Sequence, residues 1–201
     1  MKVALLCNMN NNNYSMLRYL RDKKIEAFLL LFDDEADIFN PINDTFENKY
    51  FDYIIKLEWG SYKKFLKTPS AKIFNDLKNF NFLIGCGLAP AYLERINRKL
   101  DVFVPYGADL DYFTKYNITY PNRLLNLWAT VFYQKKGVKK SNIWHLEYSN
   151  NIYDKVRDRL RGKSTRWFFS VPYVYLNEYN DKNISHYHQN TKLNKKLQEL
   201  K

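Results

Sequence analysis

Glycine is scarce in this sequence, with six residues in 201, alongside six prolines and two cysteines. The glycine spacings that cradle a dinucleotide or a nucleoside triphosphate do not occur, which excludes the usual phosphate-binding loops and leaves no cofactor to expect. Cys7 and Cys86 each end an apolar run and have no zinc spacing, so no metal is expected, and buried free thiols in a reducing compartment fit them. The three histidines group with neither a carboxylate nor a cysteine. His145 reads as structural, and His186 and His188 as exposed. No nucleophile elbow or Ser/His/Asp order is visible. Met1–Leu6 is too short for a signal peptide, and no apolar stretch approaches a membrane span, so the expectation is a cytoplasmic chain.

What is present is ample core material. Hydrophobic residues make up 46%, with 17 Tyr and 14 Phe, which argues against disorder. Abundant Asn and Lys point in part to compositional bias. The net charge of +11 favours anionic partners without choosing among nucleic acid, sugar nucleotides and an anionic membrane face. Nothing resembles a helix-turn-helix or RNA-recognition signature, which tells against nucleic acid.

Apolar runs at Lys2–Cys7, Ile25–Phe32, Phe51–Leu57, Phe82–Gly85 and Asp101–Val104 alternate with helical patterns. Helical spacing follows Met16, continues at Ser70–Phe80 with Ser70 as cap, and begins again at Pro90. Pro121 to Gly137 reads as a further helix, with proline just inside its start and glycine just past its end. Beyond it, Ser141–Glu147 and Arg166–Val171 read as strands, Asn151–Arg161 as a charged helix and Thr191–Lys201 as a basic helical tail. The alternation predicts an α/β fold, a Rossmann-like parallel sheet flanked by helices. Residues 1–180 form the expected domain, and 181–201 a polar, basic linker and tail.

Ligands of such sheets bind beyond the C-terminal strand ends. That selects the loops Asn8–Asn13, Glu58–Ser61, Gly85–Pro90 and Pro105–Asp109. Asn10, Asn11, Asn12 and Asn13 offer amides suited to sugar hydroxyls, or form a capping turn. Glu58 and Trp59 pair a carboxylate with a stacking ring, unless Trp59 is core and Glu58 solvated. Gly85, Cys86 and Gly87 either let a ligand approach the backbone or make a tight turn. Tyr106, Gly107 and Asp109 follow the fifth strand, where Asp109 binds a hydroxyl or caps a turn. Lys135, Lys136, Lys139 and Lys140, beside Trp128, Phe132 and Tyr133, suit an anionic membrane or simply a solvated helix end.

The stretch Phe82-Leu-Ile-Gly-Cys-Gly-Leu-Ala-Pro-Ala-Tyr-Leu-Glu-Arg-Ile-Asn-Arg-Lys-Leu-Asp-Val-Phe-Val-Pro-Tyr-Gly-Ala-Asp-Leu110 resembles bacterial glycosyltransferases of the two-Rossmann-domain (GT-B) type from surface-polysaccharide loci. Ser170–Tyr179 and the opening strand and loop fit the same resemblance. It implies the N-terminal, acceptor-side half of such an enzyme in polysaccharide or glycolipid synthesis, truncated and inactive alone. Its partners would be a sugar acceptor, a nucleotide-sugar donor held by a missing C-terminal domain, and the membrane face peripherally. No catalytic residue is assigned. The alternative expectation is a non-catalytic α/β binding domain or partner subunit.

Overall fold

The computed structural model describes residues 1–45, 48–107, 109–115, 124–144, 158, 172, 174–180 and 183. The strands are β1 (Lys2–Leu6), β2 (Glu26–Leu31), β3 (Ile54–Lys56), β4 (Phe82–Gly85), β5 (Val102–Phe103) and β6 (Ile143–Trp144). The helices are α1 (Asn12–Asp22), α2 (Pro41–Asp44), α3 (Ser70–Leu77), α4 (Ala89–Glu94) and α5 (Leu124–Lys140). All strand pairs are parallel, in the order β3-β2-β1-β4-β5-β6. The expected Rossmann-like α/β sheet is therefore present. The order reverses between β1 and β4, which opens a crevice beyond their C-terminal ends.

Two-sided burial explains the continuous apolar runs. Along β1, Ala4 and Leu6 join one core with Ile73 and Leu77 of α3 and Tyr92 and Leu93 of α4. Val3 and Leu5 point the other way and pack with Tyr14 and Leu17 of α1. The long β2–β3 connection returns to this second face through Tyr50.

The boundaries differ from expectation in three places. The first helix begins at Asn12, because the side chain of Asn8 caps it from outside. Ser70 is the first residue of α3, with Pro69 at the cap position. Gly137 lies inside α5, where a Cβ would stand 2.0 Å from the carbonyl oxygen of Pro90. The glycine is there for the close approach of α5 to α4, not to end the helix. The expected strand Arg166–Val171, most of the helix Asn151–Arg161, the tail Thr191–Lys201 and all three histidines lie outside the described residues.

Residues 174–180 come back onto α1. Tyr175 is buried there, and its hydroxyl meets the Asp22 carboxylate at 2.5 Å and the Tyr50 hydroxyl at 2.9 Å. Arg18 pairs with Glu178 at 2.6 Å, both side chains buried, with Thr45 donating to the same carboxylate. The guanidinium lies 4.4 Å from the Tyr14 ring centroid and 4.6 Å from that of Tyr175. Breaking one partner of a buried pair strands the other charge. Among the described residues no helix is long and apolar enough to cross a membrane.

Two substitutions test this packing in denaturant melts. Gly137→Ala, which at a free helix position would stabilise by about 1 kcal/mol, is expected to destabilise by about 1–3 kcal/mol through overpacking against Pro90. Arg18→Leu is expected to cost about 3 kcal/mol or more. Wild-type stability in either variant would contradict the packing described.

Candidate functional site

The crevice is built from three loops, those after β1, β4 and β5. The first runs through Cys7, Asn10 and Asn11, which all have positive φ (70°, 55° and 58°). These are positions where glycine is the easy choice, and asparagine is the residue that best tolerates them otherwise. The loop thus takes a glycine-rich shape without glycine.

Several of its polar groups are already engaged. The Asn8 amide donates to Glu35 Oε1 at 2.9 Å, and Cys7 Sγ lies 3.5 Å from the same oxygen. The Asn8 side chain accepts from the Tyr14 amide at 2.9 Å. The Asn11 and Asn12 amides close onto Asn8 O and Met9 O. α1 has no acid in its first turn. Glu35, reaching across from the segment after β2, supplies the negative charge that the N-terminal end of the helix favours. Burial pushes its carboxyl above the usual range, against the lowering effect of the Asn8 amide. Its second oxygen is buried without a hydrogen-bond partner.

Asn12 and Asn13 are buried. Asn13 Nδ2 donates to Leu6 O and Cys7 O at 3.2 and 2.7 Å, and Asn12 Nδ2 donates to the Tyr106 hydroxyl at 2.5 Å. The latter bond bridges the first and third loops. The amide oxygens of both residues are buried and unpartnered.

The second and third loops are joined by Asp109. Its two oxygens accept from the Tyr106 amide at 2.9 Å and the Gly87 amide at 3.0 Å. Gln134 of α5 locks the same junction, donating to Gly87 O and Asp109 O and accepting from the Ala91 amide. Burial pushes the Asp109 carboxyl up to about 6, despite these backbone donors. Gly85 and Cys86 are buried at the base of the junction. A Cβ on Gly85 would stand 3.1 Å from Ala89, Leu100 and Leu6. The Cys7 thiol is held well above its ordinary value by a hydrogen bond with Cys86 and by burial, and so is a poor nucleophile.

Solvent reaches a rim of Met9, Asn10, Asn11, Gly87, Tyr106 and Gly107. Gly107 has φ 113°, and nothing lies within 4 Å of where its Cβ would be. Among these rim residues the phenol of Tyr106 is the sole ionisable side chain.

The structure does not bring Glu58 and Trp59 into the crevice. Both follow β3, an edge strand two places from β1. Trp59 is fully buried against Tyr92 and Phe32 and donates its indole N–H to Asp76 at 2.8 Å. Glu58 is exposed and pairs with Lys72 at 3.0 Å, whose hydrogen bond lowers its pKa. Asn8 lies in the loop expected from the sequence, whereas Glu35 and Gln134 lie outside the expected loops. The acidic run Asp33-Asp34-Glu35 after β2 was the available sign, because parallel pairing of β1 with β2 sets it beside the first loop. Among the described residues no group of three or more His, Cys, Asp or Glu could hold a metal ion.

No family model and no curated protein matches the chain. Among solved structures, a short-chain dehydrogenase/reductase from Veillonella parvula in complex with NADP matches with 10% identity and a TM-score of 0.36, covering 75% of this chain and 71% of that one. At that similarity nothing about this chain's ligand or activity follows. The glycosyltransferase resemblance is corrected by these comparisons, none of which returns a GT-B enzyme. The motif from Phe82 to Leu110 instead serves the fold, with Gly85 in a crowded strand end, Pro90 against Gly137, and Asp109 in the loop junction.

A buried carboxylate with a raised pKa favours the folded state when protonated. The folded chain binds the extra proton between the ordinary Asp value of 3.8 and about 6, so this contribution to stability falls as pH rises through that window. Asp109→Asn removes the titration. The wild type is expected to gain stability relative to Asp109→Asn as pH drops from about 6.5 to about 4.5, by about 1.4 kcal/mol for each tenfold gain in proton affinity on folding. Parallel pH profiles of the two proteins in chemical denaturation would refute the assignment.

Proposed function

We propose that this chain binds a neutral, polyhydroxylated small molecule (a sugar, polyol or nucleoside) in the crevice beyond β1 and β4. The observation that carries this is the Glu35 carboxylate on the Asn8 amide. A phosphate entering the first loop would meet a carboxylate already held at 2.9 Å by a donor it needs, and like charges there are repulsive. The rim itself supplies amide side chains, backbone groups beside two positive-φ glycines, and a phenol. Those groups both donate and accept without net charge, which matches hydroxyls rather than anions. The open space beside Gly107 lets a ligand lie against the backbone.

The test is a ligand screen by calorimetry that pairs each neutral compound with its phosphorylated form, such as ribose with ribose 5-phosphate. Neutral compounds are expected to bind at least as tightly as their phosphates. Asn10→Gly, which keeps the left-handed backbone and removes the exposed amide, is expected to weaken binding by up to about tenfold with an unchanged melting temperature. Preference for phosphates or dinucleotides would overturn the proposal.

A further inference from the structure

The described part of α5 shows two faces. Thr130, Val131, Gln134, Gly137 and Val138 are buried toward the core and α4. On the other side, Leu125, Trp128 and Phe132 are exposed by 81%, 46% and 43%. Their spacing of three and four residues makes one stripe, and Lys136 and Lys139 continue it to the end of the helix. Lys136 Nζ lies 4.2 Å from the Phe132 ring centroid, so apolar and basic portions adjoin directly. Asn126 fastens the neighbouring segment to α5, donating to Lys63 O and accepting from the Leu66 amide. That segment adds Leu66, 49% exposed, between the exposed Lys63 and Lys67. α5 contains no acidic residue. Lys140 is turned away to the Glu94 carboxylate.

We infer that this face of α5, with the Leu66 turn, lies on an anionic lipid bilayer. Charge complementarity selects a negative surface, and the exposed aliphatic side chains select one with a hydrocarbon layer beneath it. Nucleic acid would satisfy the lysines and stack on Trp128, but offers nothing to Leu125 and Leu66. Trp and Lys at the boundary of such a layer keep their polar atoms in the headgroups while their apolar parts go deeper. The inference is independent of the ligand assigned to the crevice.

The experiment is co-sedimentation of the full chain with phosphatidylcholine vesicles, with and without phosphatidylglycerol. Binding is expected to the anionic vesicles and to weaken with salt. The exposed double variant Leu125→Ser/Trp128→Ser is expected to bind at least about tenfold more weakly, with its melting temperature retained. Lys136→Gln/Lys139→Gln is expected to lose about fivefold per lysine on anionic vesicles alone. Brominated lipids should quench a fluorescence component that Trp128→Phe lacks. Absence of vesicle binding, binding undiminished in both variants, or tighter binding to random DNA than to vesicles would overturn the inference. So would a dimer in sedimentation that dissociates in the Leu125/Trp128 variant.

Discussion

The hydrogen bond from the Asn8 amide to the Glu35 carboxylate sets the character of the crevice. A parallel sheet of this order aims the N-terminal end of α1 at the switch point, and that end attracts negative charge. In this chain the charge is intramolecular. The carboxylate crosses from the segment after β2, which the parallel β1–β2 register holds alongside the first loop. The loop also dispenses with glycine. With Asn8 capping Tyr14 from outside the helix, Asn10 and Asn11 take up left-handed backbone that their side chains tolerate.

A second carboxylate performs a related task on the other side of the crevice. Asp109 holds the Gly87 and Tyr106 amides together, and Gln134 of α5 closes the junction from behind. Both carboxyls are raised by burial, one beneath each half of the site. Desolvating a charge is costly unless backbone donors face it, and both have them. The polar residues nearest the switch point are therefore mostly scaffold. What solvent reaches is the thinner layer of backbone and neutral side chains laid over them.

The sheet was legible in the residues because two-sided burial writes itself as unbroken apolar runs. Lys2–Cys7, Ile25–Phe32 and Phe82–Gly85 each contain a strand within their bounds. Helix boundaries were less legible because they depend on distant partners. Gly137 carries the pattern of a helix stop, yet sits mid-helix because Pro90 leaves no room for a Cβ. Position was also a poor guide to roles at strand ends. Trp59 follows a strand as a binding residue would, but the sheet order places that strand at an edge, and the indole goes into the core. The partners of Glu35 and Gln134 are 27 and 47 residues away, so only the acidic run after β2 hints at the first and no local pattern marks the second. The resemblance over Phe82–Leu110 drew on residues whose visible tasks are packing and loop closure, which unrelated Rossmann-like sheets equally require.

The net charge of +11 must then be explained somewhere other than the crevice. An anion drawn by long-range attraction would arrive at a first loop that already contains a carboxylate, with no lysine or arginine on the described rim. Ion pairs such as Arg18 on Glu178 and Lys140 on Glu94 are each neutral and leave that excess unchanged. Part of it is collected on the acid-free helix α5 beside its exposed apolar stripe. The chain leaves β5 at its C-terminal end and enters β6 at the other, so α5 runs back along the sheet with Leu125 and Trp128 at the crevice end. The proposed reading separates attraction from recognition, assigning charge to the outer face of α5 and neutral hydrogen bonding to the switch point.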